Sequence, residues 1–287
     1  MISQILTLFF AAVLVLPAHA QVNPGDEAFK KQWYAGLAEI TRYELHQARY
    51  RDLHTGDAVL IFVTEDFLTE EQVKKERGDG EGTSVLKLNF ARNFTTGIYP
   101  YSMMTSTFTP VAPGQRALKV TTSVQEWCGH TFTQMNYRNQ QYRGILRSYF
   151  QDEGDVNFVS DGILEDEIWT RIRLSPEDLP LGELQMIPGT QFQRLAHFVP
   201  QQETAMAEIT TAGERQTYWI TYASIPRKLA ITFETAYPHA ILSWEESYQQ
   251  RGKWVTTSAV KTHSVMLDYW SKNSAADSTY RAQLGLR

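Results

Sequence analysis

The chain has 287 residues, of which 27 are basic and 32 acidic, giving a formal net charge of −5, and its one cysteine is Cys128. So mild an acidic balance excludes a binder of nucleic acid or anionic membranes that works by bulk charge, which needs clustered Lys and Arg. A single cysteine excludes an intramolecular disulfide, so stability has to come from packing.

Ile5 to Leu16 is an apolar run relieved only by Thr7; Pro17 ends it, and Ala18-His19-Ala20 follows. This is the layout of a secretory signal peptide cut after Ala20, although the n-region MISQ has no Lys or Arg. The run is too short to span a bilayer. A lipoprotein signal would need a cysteine near residue 20, and none is there. The expected destination is the periplasm, with secretion as the alternative. No further stretch approaches membrane length.

From there the chain reads as strands. Residues 26–34 have room for two helical turns. Val59-Leu60-Ile61-Phe62-Val63 is a continuous apolar run, expected to be a strand buried on both faces. Residues 69–83 (TEEQVKKERGDGEGT) read as a charged surface loop. Period-two alternation marks Leu86, Leu88 and Phe90, then Leu118, Val120 and Thr122. It returns in Tyr218, Ile220 and Tyr222, in Leu229, Ile231 and Phe233, and in Leu242 and Trp244. The separators are turn-like: His54-Thr55-Gly56-Asp57, Glu153-Gly154-Asp155, Ala212-Gly213-Glu214 and Gln250-Arg251-Gly252.

One amphipathic helix stands out mid-chain, at 161–173. Leu164, Ile168 and Ile172 fall at i, i+4 and i+8 beside Trp169, while Glu165, Asp166, Arg171 and Arg173 take other faces. Ser175-Pro176-Glu177-Asp178 predicts a further short turn. The expected fold is mainly β: a large antiparallel, strongly curved sheet, an open half-barrel wrapped around that helix, with a β-sandwich as the alternative. The expected organisation is a signal peptide (1–20), one β-rich domain (21–270) and a polar, fraying tail (271–287).

Chemistry-bearing motifs are sparse. On one continuous strand Glu126, Cys128 and His130 would share a face, which is the parts list of a cysteine nucleophile with base and orienter. Side chains two apart on a strand are roughly 6.5 Å apart, too far for such a dyad without a bulge at Gly129. No His pair has zinc-motif spacing, so no metal is expected. No P-loop, dinucleotide glycine pattern or nucleophile elbow occurs, so no cofactor is expected. Glu65-Asp66 and Glu245-Glu246 read as solvated edges. The remaining lead is aromatic. Tyr99, Tyr101 and Met103 share one side of a strand that Pro100 confines to an edge or a strand start. With Trp127, Trp169, Trp219 and Trp244 they are the candidate lining of an apolar ligand groove.

Ala58–Phe67 (AVLIFVTEDF), Gly97–Thr105 (GIYPYSMMT) and Leu118–Thr133 (LKVTTSVQEWCGHTFT) resemble segments of a family of uncharacterised exported bacterial proteins. Some members carry the label septum formation inhibitor Maf. True Maf proteins are cytosolic nucleotide pyrophosphatases with an N-terminal Ser/Arg-rich phosphate motif on an α/β fold, and nothing in this chain matches that motif. Arg227–Glu246 is similar in pattern to envelope half-barrels of the LolA/LolB type. Export, β content, the lone mid-chain amphipathic helix and the missing catalytic motifs set the expected function. It is that of a non-catalytic periplasmic protein that binds a hydrophobic ligand, of lipid or lipoprotein type, or an envelope partner. The alternatives are a cysteine-dependent envelope enzyme using Cys128 and His130, and a purely structural envelope protein.

Overall fold

The structure, a computed structural model, describes residues 23–286. The expected signal peptide lies outside them. After α1 (Glu27–Trp33) come β1 (Ala38–Arg49), β2 (Asp52–Leu68), β3 (Val73–Lys74), β4 (Gly82–Thr96) and β5 (Tyr99–Pro110). Next are β6 (Lys119–Glu126), β7 (Gly129–Arg138), β8 (Gln141–Ser148), β9 (Val156–Ser160) and β10 (Ile163–Leu164). The helix α2 (Glu165–Leu174) leads through a short 3-10 turn, Pro176–Asp178, to β11 (Gly182–Ile187) and α3 (Thr190–Ala196). A second run follows, β12 (Glu203–Ala212), β13 (Arg215–Tyr222), β14 (Arg227–Glu234), β15 (Ile241–Gln250) and β16 (Lys253–Leu267), and α4 (Thr279–Gln283) ends the described chain.

All sixteen of these strands join one hydrogen-bonded sheet rather than two, in the order β10-β11-β12-β13-β14-β15-β16-β1-β2-β4-β5-β6-β7-β8-β9, with β3 appended to β2. Pairing is antiparallel except between β10 and β11, so the sheet is mixed. β9 and β10 are the two ends of this path, yet only Asp161 and Gly162 separate them in sequence.

The alternation read from sequence matches the observed faces except at Leu242, where a bulge between β14 and β15 puts Ile241 in the core with Trp244 instead. Leu86, Leu88, Tyr218, Ile220, Leu229, Ile231 and Phe233 point into one core with Ile168, Trp169 and Ile172 of α2. Val59 and Val63 face the other way, into a second cluster with Ile40 and Leu284, so the 59–63 run is buried on both sides. Leu284 belongs to the segment expected to fray. Instead a 3-10 turn, Ala275–Ser278, carries a Ser274/Asp277 capping box, and α4 follows it. Burying Leu284 ties this end down.

Three other expectations are corrected. His54 to Asp57 is not a turn but lies within β2. A Cβ on Gly56 would come 2.2 Å from the Asn93 carbonyl oxygen of β4, so this glycine allows close backbone approach inside a strand. Part of the charged 69–83 loop pairs as β3. The mid-chain helix starts later, at Glu165, and is buried on nearly every side. Its charged residues, placed on other faces than the apolar stripe, are met by strands from around the sheet. Glu165 binds Arg227 of β14 (2.6 Å) and accepts from Tyr222 of β13 (2.6 Å). Glu167 accepts from Tyr142 of β8 (2.9 Å), and Arg173 grips Glu39 of β1 through both carboxylate oxygens (2.5 and 2.7 Å). Trp169 meets Phe90 of β4 and Trp244 of β15 edge-on.

Candidate functional site

The seven aromatic and Met candidates do not line one groove. Tyr101, Met103, Trp169 and Trp244 are core residues. Tyr99 packs partly buried against that core, at the start of β5, where Pro100 pairs with β4 only. Trp127 and Trp219 are exposed, and the Trp219 indole N–H donates to Thr210 (3.0 Å). The void beside α2, among Phe90, Trp169, Phe192 and Leu229, is about 20 Å³, room for about one water molecule and not for an acyl chain.

Glu126, Cys128 and His130 do not share a face either, because the segment is a hairpin. Glu126 pairs with Gly129, which leaves Trp127 and Cys128 as the two turn residues. Glu126 points inward, accepts the Cys128 backbone N–H (2.6 Å) and binds Arg194 of α3 (3.0 Å). His130 lies exposed on the opposite face. The Cys128 thiol is exposed, and its hydrogen bond to Glu126, with a small contribution from desolvation, pushes its pKa above the ordinary cysteine value. A nucleophilic cysteine needs the reverse shift. Labelling of the folded protein with an aromatic disulfide is therefore expected to go to completion without denaturant. Its rate at pH 7 should lie at or below that of a small free thiol and climb beyond pH 9. A rate well above the free thiol at neutral pH would revive the nucleophile.

His130 does border a shallow depression of about 400 Å³ on the outer face, with Phe132, Arg147 and Asp155. The Arg147 guanidinium is already engaged with the Leu146 and Val156 carbonyls and with Asn157. Among the described residues no group of three or more His, Cys, Asp or Glu is placed to hold a metal ion. Glu246, expected on a solvated edge, is buried between Arg92 (3.3 Å) and Arg227 (2.8 Å). Burial alone would raise its pKa, and the two arginines outweigh that and hold it below the ordinary carboxylate value.

What the fold does bring together is one end of the sheet. In an antiparallel meander alternate hairpins share an end, and here the turns β1–β2, β4–β5, β6–β7 and β8–β9 do so. Each carries a large exposed side chain: Tyr50 (44% exposed), Ile98 (81%), Trp127 (70%) and Tyr149 (71%). The Tyr99 ring, beside Ile98, lies 5.7 Å from that of Tyr101 and 6.3 Å from that of Trp127. Beneath them the Tyr50 hydroxyl lies 2.6 Å from that of Tyr99 and 3.0 Å from that of Tyr101, and Arg49 donates to Tyr101 (3.3 Å) and to the Leu195 carbonyl of α3. Burial alone would raise the Tyr50 pKa, but the hydrogen bonds from Tyr101 and Tyr99 and the charge of Arg49 hold it below the ordinary phenol value. Sequence reading found Tyr99, Tyr101 and Trp127 of this cluster and missed Arg49 and Tyr50. No Gly or Asn at 50–51 announces their turn.

Compared with protein-family models, curated proteins and solved structures, the chain matches none. No helix among the described residues is long and apolar enough to cross a membrane.

Proposed function

We propose that this is an exported periplasmic protein of half-barrel shape that binds an amphiphile of lipid type, without catalysis, at its aromatic hairpin end. Two observations support the curvature. Fourteen strand spacings of about 4.8 Å would hold the ends of a flat sheet far apart, whereas β9 and β10 are two residues apart. The side chains of α2 also reach β1, β4, β8, β13, β14 and β15. The helix then plugs the concave face, so an apolar ligand has no interior to enter and meets the rim instead.

The observation that carries the reading is the exposure of Ile98, Trp127 and Tyr149 on neighbouring hairpin tips. Large side chains clustered this way mark an interaction surface, and Trp and Tyr suit a contact that is apolar on one side and wet on the other. Dodecyl maltoside, titrated below its micelle concentration, should shift Trp fluorescence to the blue. Ile98→Ser with Trp127→Ala should weaken binding about tenfold or more, followed calorimetrically. Undiminished binding by that double variant, or none by the wild type, rejects the rim as the site.

A further inference from the structure

Five arginines are buried among the described residues: Arg49, Arg92, Arg173, Arg194 and Arg227. Four of them hold a carboxylate at 3.3 Å or less: Arg92 on Glu246, Arg173 on Glu39, Arg194 on Glu126, and Arg227 on Glu246. Arg49 has no ion-pair partner among the described residues. Its two Nη atoms go to neutral acceptors, Leu195 and Tyr101, and its Nε finds no hydrogen-bond partner. The rings of Tyr50 (4.6 Å) and Tyr101 (5.5 Å) flank the guanidinium. Such contacts stabilise a cation without neutralising it. A buried charge is ordinarily paired, because desolvation makes an unpaired one costly.

We propose that Arg49 is an anion site, taking the phosphate headgroup of the amphiphile that the hairpin end binds. The site offers donors on a cation: the free Nε–H of Arg49 and, once Tyr50 turns outward, the hydroxyls of Tyr99 and Tyr101 that now bond to it. Guanidinium and phosphate are matched in charge and in hydrogen-bond geometry. The nearby carboxylate, Glu126, is occupied by Arg194 and by the Cys128 N–H. Tyr50 lies over the guanidinium and is itself 44% exposed, so an outward turn of its ring opens Arg49 to solvent. Ile98 and Trp127 then flank the path of the tail. With a net charge of −5, bulk attraction does not favour an anion. Selectivity for one has to come from this local cation. The inference rests on the proposed amphiphile site, and deepens it by naming the headgroup.

The test compares dodecyl phosphate, dodecyl maltoside and inorganic phosphate on the full protein by calorimetry and tyrosine fluorescence. Dodecyl phosphate should bind tighter than the maltoside by about tenfold or more, and Arg49→Gln should erase that difference. Tyr99→Phe, which keeps packing and loses a donor, should reduce it by about threefold or more and carries the test if Arg49→Gln does not fold. Equal binding of both surfactants overturns the headgroup inference and leaves the rim reading standing. Arg49-dependent binding of inorganic phosphate, with neither surfactant bound, upholds the anion site and overturns the lipid reading. Tyrosinate absorbance at neutral pH that vanishes in Tyr50→Phe also overturns the inference, because an internal phenolate would then balance Arg49.

Discussion

Arg227→Met is expected to destabilise the fold by about 3–5 kcal/mol, the usual cost of removing one partner from a buried ion pair. Arg227 enters β14 on the inner face and is 2% exposed. Its guanidinium takes both carboxylate oxygens of Glu165, at the first turn of α2, and one of Glu246 on β15 (2.8 Å). Arg92 on β4 closes the set on Glu246 (3.3 Å), so two cations face two anions in the core. The same guanidinium lies 4.2 Å from the Phe192 ring of α3. Methionine keeps much of the apolar stem and leaves one carboxylate uncompensated in a low-dielectric interior. Glu165→Gln added to Arg227→Met restores neutrality and should recover more than 1 kcal/mol of the loss, since the two residues are in contact and non-additive. Urea midpoints at constant m-value report both quantities. A single-variant loss under 1 kcal/mol would mean that the pair contributes specificity rather than stability.

This network also marks where sequence reading stops. Ile168 and Ile172 with Trp169 marked α2, because apolar period 3.6 is a local signal. Leu164 of the same stripe belongs to β10 and packs in another cluster. The same reading put Glu165, Asp166 and Arg173 on other faces and could name no partner for them. Their partners Arg227 and Glu39 lie 62 and 134 residues away, and such pairing leaves no trace in a window of a few turns. The helix α3 was missed because TQFQRLA has neither length nor a clear stripe. The Trp127-Cys128 turn was missed because neither residue is one that turn chemistry favours. Reading through it merged two strands and put Glu126, Cys128 and His130 on one face. Arg49 was invisible for a sharper reason. What singles it out is the lack of a carboxylate that four similar arginines have, and only the assembled fold shows that.

Asp166 predicts how the protein responds to pH. Its carboxyl is buried, and desolvation raises its pKa from 3.8 to about 7, with the neighbouring charge of Glu165 adding to the rise. The Thr190 backbone N–H (3.0 Å) and Arg227 oppose the shift without cancelling it. Between pH 4 and 7 the folded state therefore holds a proton that the unfolded state has released. With fewer protons bound on unfolding, stability falls as pH rises through that window and levels off above it. Glu39, Glu153 and Glu246 act in the other direction. Their pKa values are depressed against burial, by Arg173 for Glu39, by His197 and Ser148 for Glu153, and by Arg227 and Arg92 for Glu246. Their contribution is present above about pH 4.5 and lost below it as they protonate. The combined curve should peak on the acid side of neutrality. Asp166→Asn separates the two effects. The asparagine carbonyl still accepts from Thr190, and it carries no charge to desolvate. The variant should match or slightly trail the wild type near pH 4 and exceed it by up to about 4 kcal/mol at pH 8, the equivalent of a three-unit shift. Urea unfolding of both proteins at pH 4, 6 and 8 measures the crossing. Parallel stability curves would show instead that Asp166 ionises freely in the folded state.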